Sequence, residues 1–294
     1  MKYIPAKKIL STSKNPSGWF GGKYGLNIYR GCNHGCIYCD SRSNVYQVEN
    51  FSEVKVKEDA ISKLETELQS KRVKGIISMG SMSDPYNKYE ENLELTRKSL
   101  ELINKYKFGV NITTKSALVV RDIDLLKKIQ RHSNVLVSIT ITTYDDSLSK
   151  IIEPGCSNTK ERFEALSILK ENGIYAGITL QPLLPKINDS YENVTSIIKK
   201  ASEAGVDYIY SFFGVTIRDG QREYLYKNFA KNFPFLIEFY NNTFKNNYVC
   251  HSLISRKLYS LSEKLCDEHG ILYKMKDIIE ESGKFVVENQ MTLF

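Results

Sequence analysis

The chain has 294 residues, 41% of them hydrophobic and 26% charged, a balance that excludes a disordered or low-complexity protein and leaves room for one large domain or two small ones. No apolar run approaches transmembrane length and the opening residues, Met1 to Lys8, lack the apolar stretch of a secretory leader, so a cytoplasmic protein without a membrane partner is expected. A net charge of +7 permits an anionic partner without demanding one, and six cysteines in such a chain point to a reducing compartment where thiolates stay free for metal.

Short β-branched runs alternate with amphipathic stretches along most of the chain. The runs are residues 25–30, 75–80, 109–115, 135–143, 175–183 and 208–216. Ile61, Leu64 and Leu68 mark one helical face, Phe163, Leu166 and Leu169 another, and Val194, Ile197, Ile198 and Ala201 a third. Gly173 and Gly205 follow helical stretches where left-handed caps belong, and Thr159 and Asp189 are candidate N-caps. Six β-then-α units in order predict an α/β fold with a parallel sheet, an open partial (β/α)6 TIM-like barrel. The competing Rossmann-like sheet would want a glycine-rich loop after its first strand, and none is present. In barrels of this kind the chemistry sits at the carboxyl ends of the strands.

After the first strand Cys32, Cys36 and Cys39 stand at spacings of four and three positions, in Tyr29-Arg30-Gly31-Cys32-Asn33-His34-Gly35-Cys36-Ile37-Tyr38-Cys39-Asp40. Such a loop can wrap three corners of a cubane iron–sulfur cluster. A four-iron cluster normally takes four thiolates, so three leave one iron open to a small molecule. The alternatives are a zinc site, which would want a second ligand pair and finds only His34, or a disulfide framework, which suits a short secreted chain.

The second loop, residues 79–86, carries Gly80, Ser83 and Asp84, which can hold an amine or hydroxyls or simply form a serine–aspartate turn before a helix near Glu90. Lys115 ends the third strand, where it can meet a carboxylate or reach out to water. Ser138, Thr140 and Thr142 alternate along one face of the fourth strand, and its loop runs through Glu153, Pro154, Gly155 and Cys156, with Arg162 entering the next helix. Gln181-Pro182-Leu183-Leu184-Pro185 follows the fifth strand, and Arg218 lies just past the sixth.

Together these residues resemble a radical S-adenosylmethionine enzyme of the branch that includes spore photoproduct lyase. The resemblance rests on Asn27 to Cys39, Ser83-Asp84-Pro85-Tyr86, Thr114-Lys115-Ser116, Glu153-Pro154-Gly155 and Pro182-Leu183-Leu184-Pro185, spanning about residues 25–218. It implies a [4Fe-4S] cluster held by Cys32, Cys36 and Cys39, with S-adenosyl-L-methionine on the open iron. Ser83 and Asp84 would hold its amino and ribose side, Lys115 its carboxylate, and Ser138 its ribose. It also implies reductive cleavage to a 5′-deoxyadenosyl radical, and an electron donor of flavodoxin or ferredoxin type. Two positions depart from the lyase pattern: Ser81 replaces the cysteine that returns hydrogen, and Asp40 replaces a tyrosine. Cys156 is the candidate for a catalytic thiol on another loop, or an ordinary loop cysteine.

Residues 1–218 form the expected barrel and 219–294 a helical C-terminal segment. Between 218 and 259 ten aromatics interleave with seven Lys/Arg and three acids, a pattern for stacking on single strands or, more simply, for aromatic packing over the open barrel. The end, Gln290-Met291-Thr292-Leu293-Phe294, resembles the peptide by which bacterial DNA-processing proteins dock on the sliding clamp, or packs on its own domain. The expected substrate is a nucleic acid undergoing repair or modification. A small molecule or peptide is the alternative, and a non-catalytic iron–sulfur protein the second alternative.

Overall fold

The computed structural model describes residues 2–16 and 18–286, so the Gln290–Phe294 motif lies outside the described residues. Strands β1 to β12 are Lys2–Ile4, Leu10–Thr12, Gly22–Leu26, Tyr29–Arg30, Lys55–Lys57, Ile76–Met79, Gly109–Thr114, Val135–Thr140, Ala176–Leu180, Tyr208–Ser211, Gly214–Thr216 and Val249–His251. Helices α1 to α11 are Ala60–Ser70, Glu90–Leu93, Leu95–Lys105, Ile123–Gln130, Asp146–Ile152, Thr159–Glu171, Tyr191–Glu203, Gln221–Asn232, Leu236–Phe244, Ser255–His269 and Met275–Ser282.

Seven strands form the main sheet in the order β10-β9-β8-β7-β6-β3-β2. Six of them are parallel and lie side by side in chain order, while β2 caps one edge antiparallel to β3. This is the open partial (β/α)6 barrel expected from the alternation of runs. Strand residues such as Ile77, Val110, Ile112, Val137, Ile139 and Ile178 are wholly buried, because helices cover the outside and side chains fill the inside. Their helical partners are the apolar stripes read from the sequence, Leu64 and Leu68, Leu166 and Leu169, and Ile197 and Ile198.

Two strand ends are corrected. The first barrel strand stops at Leu26, and Tyr29–Arg30 joins a separate three-stranded sheet, β1-β5-β4. The last stops at Ser211, and β11 instead pairs antiparallel with β12, a strand inside the segment expected to be helical. A continuous apolar run cannot show a break of two residues, so periodicity merges strands that the chain separates by a bend. Both caps also shift by one residue, the first upstream and the second downstream. Asn158 caps α6 through a capping box with Glu161, and Ser190 caps α7, leaving Asp189 to accept from the Lys186 amide and the Ser252 hydroxyl. Gly173 and Gly205 do take left-handed φ values of 72° and 69° past those helices.

The C-terminal aromatics are largely structural. Phe229, Tyr240 and Phe244 form a second core with Leu225 and Leu236, and that core reaches Cys36, Ile37 and Tyr38 of the cysteine loop. Helix α10 packs on α7 of the barrel wall. A third cluster, Phe20, Leu136, Tyr175, Tyr208 and Ile278, closes the barrel's other end. Among the described residues no helix is long and apolar enough to cross a membrane.

Candidate functional site

The cysteine loop is pinned from several sides by its own backbone. Cys32 N donates to Phe51 O at 2.8 Å, Ile37 N to Ile152 O at 3.0 Å, and Gly155 N to His34 O at 2.8 Å. From the C-terminal segment, the Gln221 amide donates to Tyr38 O at 2.8 Å and Thr216 O at 2.7 Å. The loop therefore holds its shape through main-chain bonds, leaving the thiols free of structural duty. Cys32, Cys36 and Cys39 all line one cavity of about 470 Å³.

That cavity is walled by the carboxyl ends of the parallel strands. Gly80, Thr113, Lys115, Thr140, Gln181 and Phe212 mark the ends of β6 to β10 in turn, and Ser83 and Asp84 add the loop after β6. Gly80 has φ of 97°, and a Cβ there would sit 1.9 Å from Thr113 O, so only glycine lets these two strand ends come together. Ser83 donates to Gly31 O at 2.5 Å and so ties its loop to the cysteine loop.

Asp84 is the electrostatic centre of this wall. Its carboxylate accepts from Thr114 Oγ1 at 2.6 Å, the Lys115 amide at 2.8 Å and the Tyr86 amide at 2.9 Å, and pairs with His34 Nδ1 at 3.3 Å. Burial acts to raise its pKa, but the His34 charge and these hydrogen bonds outweigh it and hold Asp84 at about 2. His34 rises from its ordinary value because Asp84 offsets the cost of burying its charge. For Lys115 burial favours the neutral amine, yet Cys36 and Glu153 outweigh it, so the buried lysine stays a cation.

A second ionic hub sits behind the loop. Glu153 and Arg162 pair at 2.6 Å with neither side chain exposed. Glu153 also accepts from the Tyr38 hydroxyl and from Thr142 Oγ1 at 2.9 Å. Arg162 spends its remaining donors on Ser157 O, Thr140 O and Ser149 Oγ. Tyr38 lies between two of the cysteines, so this hub fixes the loop's far side.

The four thiols differ. Burial pushes Cys32 up to about 12 and raises Cys39. Cys36 is lowered because Cys156 hydrogen-bonds to its sulfur at 3.8 Å, and Lys115 adds to the effect against burial. Cys156 does not line the main cavity. It opens, with His34, Ser116 and Ser157, onto a separate cleft of about 690 Å³ on the other side of the loop.

Of the residues singled out in the sequence, the three cysteines, Ser83, Asp84 and Lys115 meet at one cavity. Ser138 does not. It is wholly buried one layer deeper, bonded to the Tyr208 hydroxyl at 2.8 Å, and Thr140, next on the same face of β8, lines the cavity in its place. Cys156 likewise lies outside the cavity, its sulfur 3.8 Å from that of Cys36. Missed from sequence were Gln221, whose loop contact crosses 183 positions and leaves no local signal, and Trp19, which lines the cavity from before β3. Asn158 was signalled by Glu161 three residues on.

The residues fit a cysteine-bound cluster with an amino-acid-bearing cosubstrate. Three thiols share one cavity wall, a buried cation and a buried carboxylate stand beside them, and the side-chain amide of Asn33, inside the loop, is buried without a hydrogen-bond partner. Among the described residues no three His, Cys, Asp or Glu side chains converge as a single-ion site would require.

Fold and site together define a barrel protein whose cysteine loop faces a cavity at the strand ends. The chain belongs to the radical SAM superfamily, whose pattern matches residues 26–195. This family works with a [4Fe-4S] cluster and S-adenosylmethionine, and requires a reductant. An uncharacterised protein of Methanocaldococcus jannaschii is 34% identical over 236 residues, covering 79% of this chain and 85% of that one. Spore photoproduct lyase complexed with dinucleoside spore photoproduct shares the fold, with a TM-score of 0.65 at 13% identity over 91% of this chain and 78% of the lyase. A variant of that lyase with bound AdoMet and the same dinucleoside superposes with a TM-score of 0.64 at 13% identity, covering 90% of this chain and 78% of the lyase.

Proposed function

We propose that this protein is a radical S-adenosylmethionine enzyme acting on a nucleic acid base, in repair or modification. The observation that carries the reading is one cavity lined by Cys32, Cys36, Cys39, Asp84 and Lys115 together with apolar walls. Cys32, Cys36 and Cys39 would hold the cluster. When bound, cluster and cosubstrate supply one-electron cleavage of S-adenosylmethionine and the removal of a hydrogen atom from the substrate.

The chain's own residues bind, orient and shield. Lys115, kept charged in a buried site, offers a cation for the cosubstrate carboxylate. Asp84, held ionised, stands ready for an amine, and its backbone and threonine donors keep it from turning away. Met82, Pro182, Phe212 and Val215 line the same cavity and give it an apolar face that would limit water around a bound substrate. The nucleic-acid reading is supported by the fold shared with spore photoproduct lyase over 91% of the chain. The mode of hydrogen return differs from the lyase pattern, since Ser81 lines the cavity where that pattern has a thiol, and Cys156 opens on another cleft.

A small-molecule or peptide substrate is the second reading, favoured by the cavity's size of about 470 Å³, which suits a compact ligand. A flavodoxin or ferredoxin-type reductant, and a clamp contact through Gln290–Phe294, belong to the first reading as proposed partners. The described residues beyond 218 would serve it by buttressing the barrel through their helices and strand β12.

The test is anaerobic reconstitution and reduction, followed by addition of S-adenosylmethionine and mass-spectrometric measurement of 5′-deoxyadenosine, with and without DNA. Product that requires all three cysteines and rises with DNA supports the reading. Product indifferent to DNA moves it to the second reading, and a cluster that never cleaves S-adenosylmethionine leaves an iron–sulfur protein without this catalysis.

A further inference from the structure

The chain has one tryptophan, Trp19, and its placement is unusual for so large an apolar side chain. It is 41% exposed yet lines the cavity that holds the three cysteines. It comes from a different part of the fold than the other lining residues. They lie at or beyond the carboxyl ends of strands, whereas Trp19 precedes β3 and meets Tyr210 of β10, ring centroids 5.6 Å apart. Strand β10 is one end of the sheet and β3 is next to the other, so Trp19 stands in the gap that an open barrel leaves.

The ring is held there. It packs nearly perpendicular to Phe20, with centroids 4.9 Å apart, and to Tyr210. Phe20 itself is wholly buried and left-handed, with φ of 45° and ψ of 34°. A non-glycine residue keeps such a conformation only where the surroundings enforce it. Here the Phe20 ring is sunk into the barrel's closed end and its amide points at Met275 Sδ, 3.2 Å away. The same turn leaves Trp19, packed against Phe20 and Tyr210, half-exposed on the cavity.

The same cavity also carries polar groups without partners. Gln181 makes no side-chain hydrogen bond among the described residues, and Thr113 Oγ1 is buried with none; both line the cavity. A cavity that offers an aromatic ring together with free amide and hydroxyl groups suits a flat ring that carries donors and acceptors on its edge.

We propose that Trp19 is the stacking platform for a nucleobase of the substrate, with Gln181 and Thr113 meeting the edge of the base. This rests on the nucleic-acid reading above. It adds the residue that receives the base and the side from which the base enters.

Because Trp19 is the sole tryptophan, its emission reports on this site alone. The reconstituted protein is titrated anaerobically with a single-stranded oligodeoxynucleotide of roughly ten nucleotides, within the span that single-strand binders cover. Binding is followed in parallel by anisotropy of a dye-labelled copy. The expected result is quenching of Trp19 emission at the concentrations that raise the anisotropy. Trp19→Ala should weaken binding roughly five- to a hundredfold, and Trp19→Phe should weaken it far less. Unchanged anisotropy binding by Trp19→Ala would overturn the platform and leave the nucleic-acid reading standing. Absence of oligonucleotide binding at low salt would overturn both. Quenching by S-adenosylmethionine alone, with none from the oligonucleotide, would overturn the assignment by making Trp19 a contact of the cosubstrate's adenine ring.

Discussion

Replacing Glu153 by Gln removes the charge opposite Arg162 while keeping the side chain's size. Neither member of the pair is exposed, their separation is 2.6 Å, and Glu153 also receives the Tyr38 hydroxyl and Thr142 Oγ1. The change strands a guanidinium in the interior, which costs about 3–5 kcal/mol when one partner of a buried pair is lost. Domains of ordinary stability have only about 5–15 kcal/mol in total, so the variant should be severely weakened. Arg162→Met should cost a similar amount for the mirror-image reason. The double variant leaves no orphan charge and should therefore cost less than the sum, with a coupling of about 2 kcal/mol or more. Urea unfolding of the cofactor-free protein, followed by circular dichroism, gives all four corners of the cycle. Singles costing under about 1 kcal/mol, or strictly additive effects, would refute the view that this pair is a dry, mutually dependent unit.

Lys115→Met should weaken S-adenosylmethionine binding to the reconstituted protein about ten- to a hundredfold, the scale of one charge-assisted hydrogen bond, as measured by equilibrium dialysis; unchanged affinity would remove Lys115 from the site. Gly80→Ala should unfold or block the cavity, because its Cβ would meet Thr113 O at 1.9 Å, and the yield of folded protein together with iron content reads this directly. Asn158→Ala should cost about 0.5–2 kcal/mol through loss of the α6 capping box and leave iron content untouched, which separates a stability effect from a site effect. In cofactor-free protein, oxidised glutathione should take two electrons from Cys36 and Cys156 and join sulfurs that start 3.8 Å apart; peptide mapping should find this link and Cys156→Ser should abolish it.

The barrel was legible because its signal is local and repeated. Each unit carries an apolar strand run and a helical stripe, and six such units in order leave little choice of topology. The thiols were legible from their spacing, and Ser83, Asp84 and Lys115 because they lie at or just past strand ends, where barrels place chemistry. What escaped the sequence was depth and long-range pairing. Alternation put Ser138 and Thr140 on the same inward face, but nothing in that pattern says which layer opens to the cavity and which closes on Tyr208. Cys156 reads in sequence as a candidate catalytic thiol on another loop or an ordinary loop cysteine, and only the fold shows it touching Cys36 while opening on a different cleft. Strand β12 was hidden among aromatics because its partner, β11, lies more than thirty positions upstream.

The Gln221 bridge carries a consequence for time as well as shape. The cysteines occupy the first forty residues, but the carbonyl of Tyr38 is held by a side chain 183 positions later, and the core under Cys36 is completed by Leu225, Phe229 and Tyr240. During synthesis the thiols leave the ribosome long before the residues that shape their loop. A finished binding loop therefore exists only once most of the polypeptide has been made, so loading of the cluster becomes a late event in maturation, and truncation after the barrel strands would yield a chain with every ligand and no seat for them.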